Sequence, residues 1–259
     1  MIEAKPLYVI FLRELTKFVR QRSALINAFA RPILWLVVVG TGLSQIVRGD
    51  GLYSYKQFIF PGIIGMTVLF SSIFSSISIV WDREFGFMRE MLVAPISRLS
   101  IVLGKAVSGT LISALQAAVI MAFIPLLGIK VSLSQLLTLL GLAVLVSFSL
   151  TSLGILIASR LETFGVFNVV MNFLVMPMFF LSGALYPVTL LPAPLQVLSR
   201  LNPLTYGVDA FKNVLLGQAI AGNGAWLGAE FPLSLDVSVV TAFGLVTIIL
   251  GAVSFRRMG

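Results

Sequence analysis

The sequence predicts an all-α integral membrane protein with six transmembrane helices, an N-terminal amphipathic interface helix and short helices outside the spans. Three observations carry this. The 259 residues are 58% hydrophobic with a mean hydropathy of +1.05, and only 11% are charged, against about a quarter charged in a soluble domain. Six segments approach the ~20 apolar residues that a membrane helix needs. The basic residues flank those segments, mostly on one side of an alternating topology, as the positive-inside rule describes.

Residues 6–22, PLYVIFLRELTKFVRQR, come first. At 100° per residue, Tyr8, Phe11, Leu12, Leu15, Phe18 and Val19 share an arc, with Ile10 the exception; Arg13, Lys17 and Arg20 share the opposite one. This is the pattern of a helix lying in the membrane interface with its basic face toward anionic headgroups. A soluble amphipathic helix packed on a partner is the alternative. No secretory signal is apparent, because a basic stretch precedes the first apolar run, and the N-terminus is expected to be retained.

The spans are expected at about 28–47, 57–80, 106–125, 133–158, 164–185 and 237–255. Arg31 lies near enough to the start of the first to reach the headgroups. Spans 3 and 4 read as a hairpin. Lys5, Arg13, Lys17, Arg20, Arg22, Arg31, Arg83, Arg89, Arg98, Lys105, Arg160, Arg256 and Arg257 fall on one side, against Arg48, Lys56, Lys130, Arg200 and Lys212 on the other. Both termini and the 81–105 loop are therefore expected in the cytoplasm, in a multi-pass protein of the cytoplasmic (inner) membrane.

That loop concentrates Asp82, Arg83, Glu84, Arg89 and Glu90 among Phe85, Phe87, Met88, Met91 and Leu92. Read as one helix over about 82–94, it has two apolar ridges. Trp81, Phe85, Met88 and Leu92 form one; Phe87 and Met91 form the other, beside Glu84. Such a helix touches the bundle with one ridge and a cytoplasmic protein with the other. The plainer reading is a solvated loop carrying topogenic charge. Pro95 ends the helix, since the residue before proline is pushed out of helical geometry. Beyond span 5, about 187–216 is too apolar for a solvated loop and too broken by Pro187, Pro192, Pro194 and Pro203 to span. Two short external helices, re-entrant or interfacial, are expected between spans 5 and 6, about 193–200 and 204–216. There Asp209 and Lys212, three residues apart, are placed to pair.

Inside the spans, Ser71, Ser72, Ser75, Ser76 and Ser78 with Gly62 and Gly65 mark close helix packing. A polar strip through Ser72 and Ser76 along a translocation path is the alternative. Asn168 and Asn172 lie one turn apart on span 5, where an amide needs a partner or a cavity; a place on the same translocation path is the alternative reading for both.

Two stretches resemble a known family. MREMLVAPISRLSIVLGK, with Leu92, Pro95, Ser97, Arg98, Gly104 and Lys105, is similar to the first cytoplasmic loop of ABC-2-type transporter membrane subunits. FLSGALYPVTLLPAPLQVLSRLNPLTYGVDAFK resembles the run after the family's fifth span, through Ser182, Gly183, Pro187, Leu191, Pro192, Asn202, Pro203 and Tyr206. The resemblance implies two membrane subunits, most simply identical, above two copies of a cognate ATPase. It makes 82–94 the coupling helix, with Glu84, Phe85, Phe87, Met88, Arg89, Glu90, Met91 and Pro95 as ATPase-coupling residues. It implies export of an amphipathic substrate: a drug, a lipid or a lipid-linked glycan.

The chain contains no G-x-x-x-x-G-K-[ST] phosphate loop. No cofactor is expected on it; ATP and Mg belong to the partner ATPase. With no Cys and no His, thiolate metal sites and the commonest general base are absent. No catalytic role and no nucleic-acid partner is expected. An ATP-independent secondary transporter is disfavoured by the lack of mid-membrane Asp, Glu or His. A lipid-processing membrane enzyme is disfavoured because Asp82, Glu84 and Glu90 are interleaved with arginines. A scaffold or channel subunit is the remaining class.

Overall fold

The computed structural model describes residues 4–20, 30, 32–44, 55–93, 96–217 and 228–256. Among them the chain is helical, with no β-sheet. Eleven helices are used here: α1 Ala4–Arg20, α2 Pro32–Gly42, α3 Tyr55–Ser75, α4 Ile77–Glu84, α5 Phe87–Val93, α6 Arg98–Met121, α7 Leu133–Ala158, α8 Phe164–Phe180, α9 Ala193–Leu201, α10 Pro203–Leu215 and α11 Leu233–Arg256.

Four stretches are long and apolar enough to cross a membrane: Tyr55–Glu84, Arg98–Met121, Leu133–Ala158 and Leu233–Phe255. Two shorter apolar helices, Pro32–Gly42 and Phe164–Phe180, accompany them. α2 carries a π-helical stretch, Trp35–Val39; the ends of the expected first span, with Arg31, lie outside the described residues. The helix beginning at Arg98 starts a full two turns before the expected third span, because Ser97 caps it by accepting the Ser100 amide at 3.1 Å. Lys105 thus sits within that helix rather than before it. Ser132 and Gln135 form a capping box that starts α7 at Leu133.

α7 is the centre of the bundle. It packs against α6, α11 and α3, and α10 wedges between α3, α7 and α11. Small residues permit the closest approaches. A Cβ on Gly62 would lie 2.5 Å from the Ala184 carbonyl oxygen and 2.7 Å from its Cα; one on Gly65 would lie 2.5 Å from a Val208 methyl. The serines make the matching polar contacts. Ser72 Oγ and Ser147 Oγ both bond Ser113 Oγ, at 2.8 and 3.1 Å, and Ser113 Oγ donates to the Val68 carbonyl. Ser76 Oγ donates to the Thr151 carbonyl. Ser72 and Ser76 are thus buried packing residues joining α3, α6 and α7.

The hairpin after α8 is pinned by the residues of the second motif. Ser182 Oγ donates to Phe179 O, and Asn202 caps α10 by accepting from the Leu204 amide while donating to Met178 O at 2.7 Å. Tyr206 Oη donates to Arg200 O. Asp209 and Lys212 do not pair. Lys212 Nζ turns inward, donating to Gly183 O at 2.7 Å and lying 4.4 Å above the Phe58 ring. The Asp209 carboxylate instead accepts the Glu230 and Phe231 amides. A helix presents two faces to two different neighbours, and i,i+3 spacing gives proximity without deciding which neighbour each residue meets.

Candidate functional site: an ion cluster and elbow at one end of the bundle

Tyr55–Glu84 is 30 residues long, or about 45 Å at 1.5 Å per residue, against a hydrocarbon thickness of about 30 Å. It is thus longer than the apolar layer requires, and the charges gather in its last turns. Lys105 Nζ contacts Glu14 Oε1 at 2.7 Å, Ser78 Oγ at 3.0 Å and Asp82 Oδ2 at 2.5 Å. An ammonium has three donors, and all three are used. Asp82 accepts a further bond, from Arg13 Nη2 at 2.8 Å. Lys105, Asp82 and Glu14 are all buried. One cluster thus joins α1, α4 and α6.

This changes the reading of α1. Its bundle face carries Ile10 and Glu14, both buried, with Arg13 turned to Asp82 and Lys17 Nζ 4.4 Å above the Trp81 ring. Burial pushes the Lys17 ammonium below its usual range, against the opposing pull of Glu14 and Asp82. Arg13 and Lys17 therefore each contact the bundle, Arg13 while half-exposed and Lys17 while half-buried; Arg20 is exposed. The apolar residues left outward are Tyr8, Val9, Leu12 and Val19. Ile10 breaks the sequence pattern because it is buried in the bundle, while Tyr8, Leu12 and Val19 of the larger stripe are exposed. The pairing of Glu14 with a lysine 91 positions away leaves no mark in local periodicity.

The expected single helix over 82–94 is two helices. Gly86 has φ +84°, a left-handed conformation that glycine adopts without cost, and it separates α4 from α5. Angular counting across that break fails, so the two ridges are re-sorted. Met88 is buried and Met91 packs against the core. Phe85, Phe87 and Val93 are the exposed apolar residues, at 71%, 51% and 87%, with Glu84 and Glu90 also exposed. Arg89 lies on α5, and Pro95 lies outside the described residues.

The elbow is stapled to its surroundings. The Arg13 guanidinium lies 5.8 Å from the Phe87 ring centroid. Arg83 donates to the Leu161 and Ser159 carbonyls at 2.7 and 3.0 Å. Glu84 accepts the Phe164 amide at the start of α8, and Trp81 stacks on Phe164 at 5.8 Å. Residues 81–87 are thus bonded to both α1 and the α7–α8 turn.

Of the remaining expected site residues, Asn168 and Asn172 lie on α8. Asn168 donates to Phe164 O, and Asn172 is exposed beside Val169, Phe173 and Met176. No group of three His, Cys, Asp or Glu residues able to hold a metal occurs among the described residues.

The fold and site together define a bundle of long apolar helices with a stapled, outward-facing elbow at one end. Residues 6–216 match the model of the ABC-2 type transporter family, so the chain belongs to that family as a membrane permease subunit and not as an enzyme. Among curated relatives, it is 34% identical over 212 residues to the transport permease ycf38 of Cyanophora paradoxa, covering 80% of this chain and 73% of the relative. It is 28% identical over 252 residues to the inner membrane transport permease YadH of Escherichia coli K12 (94% and 89%), and 28% identical over 230 residues to Nodulation protein J of Rhizobium leguminosarum bv. trifolii (88% and 86%).

Proposed function

We propose that this chain is the membrane-spanning half of an ATP-driven exporter of amphipathic substrates, resident in the inner membrane. In this reading α2 and α8 complete a set of six spans, and both chain termini and the α4–α5 elbow are cytoplasmic. Two copies assemble over two copies of a cognate ATPase, which carries ATP and Mg. The observation that carries the proposal is the elbow. Three exposed apolar residues, Phe85, Phe87 and Val93, project from a segment whose neighbours bond it to α1, α6 and the α7–α8 turn. Large apolar groups at such exposure are the kind of anchor a partner protein buries, and the staples carry force inward. The exposed amide of Asn172 on an otherwise apolar face of α8 favours a second subunit there, because lipid gives an amide no partner. The inner-membrane location is supported by the name of the Escherichia coli relative and by the long apolar helices.

The test is co-purification. The F85A/F87A variant removes contact area without placing a charge near lipid. It is expected to insert, and to elute at the same size as the unmodified membrane subunit, yet to retain at least about tenfold less ATPase, as loss of two hot-spot aromatics would give. An unchanged ATPase yield would refute the assignment of this elbow as the docking point.

A further inference from the structure

The serines at the end of α3 and the start of α4 divide by face. Ser72 and Ser76 point into the helix packing, whereas Ser71, Ser75 and Ser78 line a cavity of about 410 Å³ between α1, the start of α2, α3, α4 and α6. Its wall runs from Met66 to Ser78 on one side and from Gln116 to Ser108 on the other. Twelve helical residues span about 18 Å, close to one leaflet, about half of a ~30 Å hydrocarbon core. The volume lies within the ~300–1,000 Å³ range of small-ligand sites.

The chemistry changes along that length. Deep in the bundle the cavity meets Met66, Phe70, Phe74 and Ile112, with the Gln116 amide beside them. Most hydroxyls there are occupied by their own helices: Thr67 donates to Ile63 O, Ser75 to Ser72 O and Ser108 to Gly104 O. Only Ser71 Oγ, among the described cavity-lining residues, is a buried polar atom without a hydrogen-bond partner. At the other end the wall is Glu14, Lys17, Ser78 and Trp81. Here Arg13, Lys17 and Lys105 face two carboxylates, Glu14 and Asp82, and both carboxylates are bonded by Arg13 or Lys105. Among the described residues Lys17 forms no ion pair; its ammonium rests on the Trp81 ring. One positive charge is left over, and it sits at the rim of an apolar channel one leaflet deep.

We infer that this cavity binds one acyl chain of an anionic phospholipid, with the headgroup phosphate at Lys17. The site lies within a single subunit. It rests on the permease reading only for the leaflet it opens toward, the cytoplasmic one. Because Glu14 and Ser78 belong both to the cavity wall and to the Lys105 cluster, a bound lipid touches the residues that tie α1 to the elbow.

The experiment uses the purified full chain without ATPase, so its outcome is independent of elbow docking and of transport. The protein is exchanged into mixed micelles containing equal phosphatidylglycerol and phosphatidylcholine with identical acyl chains. Native mass spectrometry then reads the retained lipid. One phosphatidylglycerol per chain is expected, favoured at least about fivefold over phosphatidylcholine. K17Q is expected to abolish that preference while keeping a lipid, and S71F, which fills the channel, to lose the lipid. Should S71F fail to fold, the unmodified protein still decides the matter: a phosphatidylglycerol with a mid-chain diazirine is expected to label peptides 66–78 and 108–116. Equal retention of the two lipids by the unmodified protein, or labelling confined to other helices, would overturn the inference.

Discussion

Replacing Lys105 by Met tests the ion cluster most directly. The side chains are similar in length, so the change removes three bonds without opening a large void. Ser78 Oγ loses a donor, which is a minor effect. Asp82 keeps its 2.8 Å bond to Arg13. Glu14, with a side chain only 10% exposed, loses the 2.7 Å bond that accounts for its burial. Removing one partner of a buried pair costs about 3–5 kcal/mol, because the abandoned charge remains out of water. For a chain of this size that corresponds to roughly 10 °C in the unfolding midpoint. The asymmetry sharpens the test. Since Glu14 is the group left stranded, E14Q in the K105M background is expected to recover most of the loss. D82N is expected to recover little, because it leaves Glu14 unpaired and also strands Arg13. Thermal unfolding in detergent, followed by intrinsic fluorescence, measures all three. A K105M midpoint within about 2 °C of the unmodified protein, or equal rescue by D82N and E14Q, would show that the cluster does not hold α1 to the bundle.

Other variants probe the remaining parts. Gly62→Ala forces a methyl into the Ala184 backbone, which cannot retreat as a side-chain tip can; overpacking of this kind costs about 1–3 kcal/mol, and a midpoint unchanged from the unmodified protein would deny the close approach. Burial lowers the Lys212 ammonium to about 8, against the pull of Asp209 and Glu230. The folded value lies below the unfolded one of about 10.4, so unfolding takes up a proton between those pH values. Stability is then expected to rise by roughly 3 kcal/mol from pH 8 to 10.5 and to stay flat just below pH 8; K212M should flatten that slope, and an identical slope in the variant would assign it to another group. Because the chain has no cysteine, V93C and L190C can each be labelled alone. An impermeant maleimide on intact cells is expected to reach Leu190→Cys and not Val93→Cys; the reverse pattern would invert the topology.

How much of this was legible in the sequence depended on whether an element's environment repeats along the chain. α7 matches the fourth apolar segment at both ends, 133 and 158, because its boundaries are set by a local capping box and by the end of a uniformly apolar run. Spacing marked Gly62, Gly65 and the serines as a packing face but did not sort the serines: Ser72 and Ser76, the residues of the alternative polar strip, are the ones in helix contacts, while Ser71, Ser75 and Ser78 line the cavity. The helix break at Gly86 was not legible: a lone glycine in a helical pattern is tolerated more often than it terminates. The inward turns of Arg13 and Lys17 were hidden for a different reason. Their partners, Asp82 and Trp81, lie more than sixty residues away, and an amphipathic pattern says that a basic face exists without saying what neutralises it. The cavity was hidden as well. Ser71 and Ser75 are sequence neighbours of the packing serines Ser72 and Ser76, with Ser78 two residues further on, and only the placement of α1 and α6 distinguishes the two faces.

The concentration of charge at 82–90 follows from the solvent in which the bundle assembles. Lipid chains are as apolar as leucine, so burying leucine between spans gives little drive for association. Polar groups must then specify which helix meets which. The bundle has such contacts at three levels. At one end Lys105, Glu14 and Asp82 join α1, α4 and α6. In the middle Ser72, Ser113 and Ser147 join α3, α6 and α7. At the far end Asn213 Nδ2 bonds Asp236 Oδ2 at 3.0 Å and Phe231 O at 2.9 Å, joining α10 to α11. The middle set is neutral and modest in strength, whereas the end set around Lys105 is ionic. A helix cross-linked firmly at its end and lightly along its length transmits a displacement applied at that end. The elbow at 85–87, stapled to α1 and to the α7–α8 turn, enters the bundle through that ionic set. A push on Phe87 has a polar route to α6 through Arg13, Asp82 and Lys105, alongside the apolar contacts of Met88 and Met91; we expect the polar route to carry the force. If it does, the K105M/E14Q pair, stable but without the ionic link, should keep its fold and its ATPase yield while ATP hydrolysis no longer drives export. Full export by that pair would show that force passes through the apolar packing instead.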